Sequence, residues 1–253
     1  MLGHRISYSS SPAMQNAAFA AEGLDWTYEL LDVEQRDLST AVERLRAPDV
    51  RGANVTIPYK QAVMDRLDIV DAAAVKARAV NTIVTDSGRL SGFNTDIAAI
   101  ESALAEVGAD ARGAQAVVLG TGGAARAASA ALEGAHVTFV SRHPESVDVA
   151  GRVIGWDDPA LATATRAANI LVNATPLGRH EEMPLRPAAL PEHGAVIDLV
   201  YVTGGTPLVR KARSLGLRTV DGWEVLLRQG AAAFELWTKR PAPIGAMRET
   251  LHP

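Results

Sequence analysis

The stretch from Ala116 to Leu132, AVVLGTGGAARAASAAL, leaves few architectures open to this chain. Ala116 to Gly120 is an unbroken apolar run closed by glycine, the pattern of a strand buried on both faces of a parallel sheet. From Ala124 onward alanine dominates, and as the strongest intrinsic helix former it predicts a helix. Gly120, Gly122 and Ala125 lie between the two and fit G-x-G-x-x-G/A, with Gly123 and Ala124 completing the turn. Glycines there allow a tight turn and close backbone approach to a pyrophosphate, while the helix start supplies N–H groups and a positive dipole end. Glycines also mark ordinary turns, so the next strand tests the reading.

That strand is His136 to Val140, HVTFV, and it runs into Ser141-Arg142-His143. A site for NAD wants an acid about twenty residues after the glycines, whereas a site for NADP wants a cation and no repelling carboxylate. Ser141 and Arg142 therefore point to NADP.

The 253 residues suffice for one large or two smaller domains, and the net charge of −4 comes from interspersed acids and bases. That distribution argues against nucleic acid and membrane partners. The absence of cysteine excludes disulfides and thiolate chemistry. The six histidines lack zinc-binding spacing, so no metal is expected. No run approaches the ~18 apolar residues of a membrane span and no signal peptide is evident, so a cytoplasmic location is expected.

Read in order, Met1 to Ile6 is short for a strand and leads to Ser9-Ser10-Ser11-Pro12, the start of a helix to Glu22 that Ser11 can cap. Capping leaves Ser9 unexplained. Trp26 to Val33 and Val50 to Ile57 are predicted as strands and Gln35 to Arg46 as a helix. Pro58 is expected to open another helix with Lys60 in its first turn, where the dipole disfavours an ammonium. Val80 to Thr85 and Arg89 to Phe93 form a hairpin about Asp86-Ser87-Gly88. Asp96 falls at the start of a helix, where the dipole favours a carboxylate. Beyond the cofactor turn, a helix within Pro159 to Ala168, the strand Ile170 to Asn173 and a mobile polar loop from Arg179 to Gly194 are predicted. The strand Ala195 to Tyr201, a helix Thr206 to Leu215, the strand Leu217 to Val220 and helices at Gly222 to Trp237 and Ala242 to Leu251 finish the chain.

Six motifs in this order resemble the shikimate dehydrogenase family over essentially the whole length. They are Ser9-Ser10-Ser11-Pro12, Asn54-Val55-Thr56-Ile57-Pro58-Tyr59-Lys60, Ala79-Val80-Asn81-Thr82, Gly92-Phe93-Asn94-Thr95-Asp96, the Val118 to Arg126 cofactor turn, and Asn173-Ala174-Thr175-Pro176-Leu177-Gly178. The resemblance implies that Ser9, Ser11, Thr56, Asn81, Asp96 and Gln229 hold the hydroxyls and carboxylate of a cyclic polyol acid. It implies that Lys60 works with Asp96 at the reacting carbon, that Tyr201 and Gly222 lie where nicotinamide meets substrate, and that Val200 is among the cofactor-binding residues. Asn173 and Thr175 would join Ser141 and Arg142 in the NADP site. The chain departs from the family pattern at Arg5, Tyr8, Ile97, Ala99, Val202-Thr203 and Val225. Family members begin with several more strand residues before Gly3, so a truncated or late start is expected here.

The resulting expectation is an α/β protein of two lobes, a substrate-binding domain over 1–97 completed by 226–253 and a Rossmann NADP-binding domain over 98–225. Its reaction would be reversible NADPH-dependent reduction of 3-dehydroshikimate to shikimate, in a monomer or homodimer. A quinate/shikimate or aminoshikimate dehydrogenase, another two-lobed Rossmann enzyme such as a folate dehydrogenase, and a catalytically silent NADP-binding sensor are the alternatives. The joint presence of Lys60 and Asp96 opposes the sensor, and the serine-proline segment opposes the folate enzyme.

Overall fold

The computed structural model describes residues 1–251. The chain divides into two compact units, Met1–Ala98 with the segment from Leu227 onward, and Ala99–Leu226. The divisions fall inside two helices, α4 (Thr95–Glu106) and α8 (Gly222–Thr238).

In the first unit β1 (Leu2–Gly3) pairs in parallel with β2 (Leu31–Asp32), and α1 (Ser11–Ala21) lies between them in sequence. A 3-10 turn leads to α2 (Leu38–Arg44), and a bridge from Leu2 to Val55 follows β3 (Gly52–Asn54). β4 (Ile69–Val70), α3 (Ala72–Ala77), β5 (Thr82–Asp86) and β6 (Arg89–Phe93) complete a sheet of order β3-β5-β6-β4. Leu2, Leu38, Val42, Val55, Tyr59, Val80, Ile83 and Leu90 form its core. β5 and β6 turn at Ser87 and Gly88 with φ of 50° and 78°, the left-handed pair that matches the twist of a two-residue hairpin.

The second unit holds β7 (Gln115–Leu119), α5 (Gly123–Ala131), β8 (His136–Ser141), β9 (Arg152–Gly155), α6 (Ala160–Arg166) and β10 (Ile170–Asn173). β11 (Ala195–Asp198), α7 (Pro207–Ser214) and β12 (Arg218–Val220) follow. The sheet, of order β12-β11-β10-β7-β8-β9, is parallel throughout. Its strand order reverses between β7 and β10, the Rossmann switch point. α9 (Ile244–Glu249) is the last helix. Among the described residues no helix is long and apolar enough to cross a membrane.

Four expectations change. Most of Trp26 to Val33 is not strand, because the Asn16 side chain donates to the Tyr28 carbonyl at 3.1 Å and accepts its N–H at 2.7 Å, taking the bonds a sheet would use. β3 stops at Asn54, since the next N–H groups go to Asn81 and Leu2. No α-helix follows Pro58: the Val80 N–H takes the Lys60 carbonyl at 2.7 Å, and the Met64 N–H turns to Gln61 instead. Lys60 therefore sits in a turn rather than in the first turn of a helix of its own. The segment after Gly178 is anchored rather than loose, because Leu185 and Leu190 are buried in the core of the second unit with Val117, Leu171 and Val196.

Candidate active site

In the first unit the turn that carries Lys60 is pinned on both sides. The hydroxyl of buried Tyr59 donates to the Val33 carbonyl at 2.6 Å, and Lys60 itself is tied to Val80 through its carbonyl. Burial pushes the Tyr59 phenol above its ordinary value, which keeps it a neutral donor. Thus anchored, Lys60 reaches Asp96 with Nζ 2.6 Å from Oδ2, both side chains largely shielded at 16 % and 13 % exposure.

Asp96 is held with equal care. It stands in the first turn of α4, its N–H donating to Asn94 Oδ1 at 3.1 Å, while Asn94 Nδ2 donates to the Ala79 carbonyl at 2.8 Å. Asn81, fully buried, accepts the Thr95 N–H at 2.7 Å and donates to the Thr95 hydroxyl at 3.0 Å. Asn54 supports it from below, donating to the Asn81 carbonyl and the Thr82 hydroxyl and accepting from Tyr28 at 2.6 Å. Buried polar groups satisfied this fully specify one arrangement. Asn81 therefore fixes the start of α4, and through it Asp96.

Ser11 is buried and is the first residue of α1; no side chain caps that helix from Ser10. The Ser9 hydroxyl accepts the Ser11 N–H at 3.2 Å. Ser9 thus serves the helix start, and Ser11 does not cap it. Thr56 is partly buried, with its N–H on the Leu2 carbonyl, and Gln229 is buried on α8 beside Gly230, whose carbonyl accepts from Gln15 at 2.9 Å.

In the second unit Gly120 leaves β7 with φ of +101°, and a Cβ there would stand 3.1 Å from the Ala174 carbonyl oxygen and 3.2 Å from Thr175 Cγ2. Only glycine takes that conformation without strain. A Cβ at Gly122 would meet no described heavy atom within 4 Å, so the turn presents an open face at the start of α5. Ala125 is fully buried, giving the close helix–strand packing of the fingerprint's third position rather than a ligand contact. Arg142 is exposed just past β8, while the buried Ser141 hydroxyl accepts the His143 N–H at 3.1 Å. An exposed guanidinium at this strand end fits a 2′-phosphate.

Asn173 is fully buried, and its side chain ties its own loop by accepting from the Thr175 hydroxyl at 2.7 Å and donating to the Leu177 carbonyl at 3.0 Å. Tyr201 packs its ring 4.9 Å from Trp223 and 5.8 Å from the Arg179 guanidinium, measured to ring centroids. A Cβ on Gly222 would lie 2.4 Å from the Val200 carbonyl carbon, so any side chain there displaces Val200 and Tyr201. Among the described residues no group of three His, Asp or Glu side chains is placed to hold a metal ion.

Family profiles match two segments of the chain, "Shikimate dehydrogenase substrate binding domain" over residues 1–83 and "Shikimate 5'-dehydrogenase C-terminal domain" over 222–252. A shikimate dehydrogenase (NADP(+)) of Moorella thermoacetica is 42% identical over 268 residues, spanning 99% of this chain and 91% of the relative. The chain belongs to the shikimate dehydrogenase family.

Solved structures of the family repeat the fold. The shikimate 5-dehydrogenase of Thermus thermophilus in complex with NADP(H) and shikimate superimposes with a TM-score of 0.88 at 36% identity, covering 99% of this chain and 96% of that one. A quinate dehydrogenase of Corynebacterium glutamicum in complex with NAD gives 0.86 at 30% identity, covering 98% and 96%. The family's two-part α/β architecture, with a parallel Rossmann-type sheet, is the one described above.

One buried acid has no counterpart among the expected site residues. Asp198 is fully buried at the end of β11, its carboxyl pushed up to about 6 chiefly by burial, and Thr206 donates to it at 2.5 Å. The available signal was a single acid inside the apolar run AVIDLVY.

Proposed function

We propose that this chain is an NADP-dependent shikimate dehydrogenase, reversibly reducing 3-dehydroshikimate to shikimate. The observation that carries the reading is the shielded Lys60–Asp96 pair at 2.6 Å, in a chain whose family relatives bear that name. Ser9, Ser11, Thr56, Asn81 and Gln229 would bind and orient the carboxylate and hydroxyls of the substrate, with Tyr201 toward the nicotinamide side. Gly120, Gly122, Gly123 and Ala124 would receive the pyrophosphate, and Val200, Gly222, Asn173 and Thr175 would shape the nicotinamide end.

Bound NADPH supplies the hydride, and the chain must supply position and a proton. As negative charge grows on the carbonyl oxygen, the Lys60 ammonium donates a proton to it. Asp96 holds the ammonium in place and balances its charge. In the reverse direction neutral Lys60 accepts the hydroxyl proton and Asp96 stabilises the ammonium that forms. The pinned turn and the Asn81–Thr95 bonds keep both groups from wandering, which is how a site limits the entropy lost on reaching the transition state.

Steady-state assays of shikimate, quinate and aminoshikimate with NADP and NAD test the reading. Shikimate with NADP is expected to give the highest kcat/KM; no turnover of shikimate at saturating NADP overturns the proposal, and quinate exceeding shikimate moves it to the quinate branch. Arg142→Ala is expected to weaken NADP binding by about 1.5–3 kcal/mol, the worth of a hydrogen bond to a charged group, with NAD little changed. Equal losses for both cofactors would make Arg142 structural.

A further inference from the structure

Three donors from three segments of the second unit converge on one buried carboxylate. Asp198 Oδ1 accepts from Asn173 Nδ2 at 2.9 Å and from the Val200 N–H at 3.0 Å, while Oδ2 accepts from the Thr206 hydroxyl. Asn173 ends β10, Val200 follows β11, and Thr206 caps α7 by accepting the Val209 N–H. From Asn173 the bonding runs on through Thr175 to the Leu177 N–H at 3.1 Å, so the loop that abuts Gly120 hangs from this acid. Through Val200 the same acid holds the backbone that Gly222 must clear.

We infer that Asp198 is a positioning residue for the cofactor, its carboxylate setting the 173–178 and 200–201 segments at the carboxyl ends of β10 and β11. This rests on the NADP-dependent reading above. An ionised carboxylate is an acceptor at every lone pair, so it can take the two N–H groups at Oδ1 and the Thr206 hydroxyl at Oδ2 together. An amide keeps the two bonds at Oδ1 but turns its NH2 toward the Thr206 hydroxyl, so that bond loses its charge and reverses its direction. An ion at this depth is costly to desolvate, so keeping one weakens the fold unless its bonds serve another purpose. The neighbouring acid Asp221 adds like charge, and it is engaged with Arg213 at 3.1 Å and with the first N–H groups of α8.

The test is NADPH binding by fluorescence titration, read beside KM for shikimate and a thermal melt. Asp198→Asn is expected to raise the Kd for NADPH about tenfold or more, as for a lost charge-assisted hydrogen bond. KM for shikimate should stay within about twofold. Thr206→Val removes one donor and leaves the acid, and should raise the NADPH Kd by roughly threefold, with Thr206→Ser restoring it. An NADPH Kd within twofold of wild type in Asp198→Asn overturns the inference, as does an equal loss for NADPH and shikimate. If Asp198→Asn does not fold, an unchanged Kd in Thr206→Val overturns it. A wild-type protein that binds no NADPH overturns the functional reading as well, whereas normal wild-type binding with unaffected variants overturns this inference alone.

Discussion

Replacing Lys60 with alanine is expected to lower kcat by about 10²–10⁴, the usual scale for a lost general acid, while the Kd for NADPH stays near wild type. The side chain donates to Asp96 and lies in a turn fixed through backbone bonds and Tyr59. The turn should therefore keep its shape. The substitution leaves Asp96 mostly shielded and without its ammonium, so some loss of melting temperature is expected alongside the kinetic effect. Circular dichroism and NADPH titration separate the two. Asp96→Asn keeps the shape and the bond to the Asn94 side chain but removes the charge, and it should also depress kcat. The double variant should fall short of the product of the single losses, because the two act as one unit. A Lys60→Ala protein with near-normal kcat removes Lys60 from the proton path, and a change confined to KM makes it a substrate-binding residue.

How much of this was legible in the sequence depended on whether a residue's partner was local. Gly120, Gly122 and Ala125 could be read because a strand, a turn and a helix adjoin in the chain and each has its own pattern. The hairpin at Ser87-Gly88 was readable for the same reason. The helix start expected at Lys60 is not there, because the bond that stops the helix comes from Val80, twenty residues away. The strand expected at Trp26 to Val33 failed likewise: its β-like composition is real, but Asn16 captures the Tyr28 backbone. The Arg179 to Gly194 segment looked loose because its prolines and charges hide Leu185 and Leu190, which enter the core. Asp198 had a visible oddity, an acid in an apolar strand, but its meaning depends on Asn173 and Thr206 closing around it.

Asp198 also sets a pH dependence whose sign follows from its environment. Burial lifts its carboxyl from the ordinary 3.8 to about 6, against the lowering effect of bonds from Thr206, Val200 and Asn173. Between those two values the native protein retains a proton that the unfolded chain has already released. Stability linked to this group is therefore fully present below about pH 4 and is lost as pH rises through 6, by up to about 3 kcal/mol. Urea denaturation of wild type and Asp198→Asn across pH 4–8 should show the variant gaining on wild type by that order as pH increases, since the variant has no charge to bury. The exposed acids Asp68, Asp110 and Glu192, each held below the usual range by a neighbouring arginine, titrate in both proteins and cancel in the difference. A pH-independent difference would show that Asp198 is ionised without penalty. With the expected slope, the protein keeps a charge at neutral pH that weakens its fold, and the NADPH titration then measures what that charge does for cofactor binding.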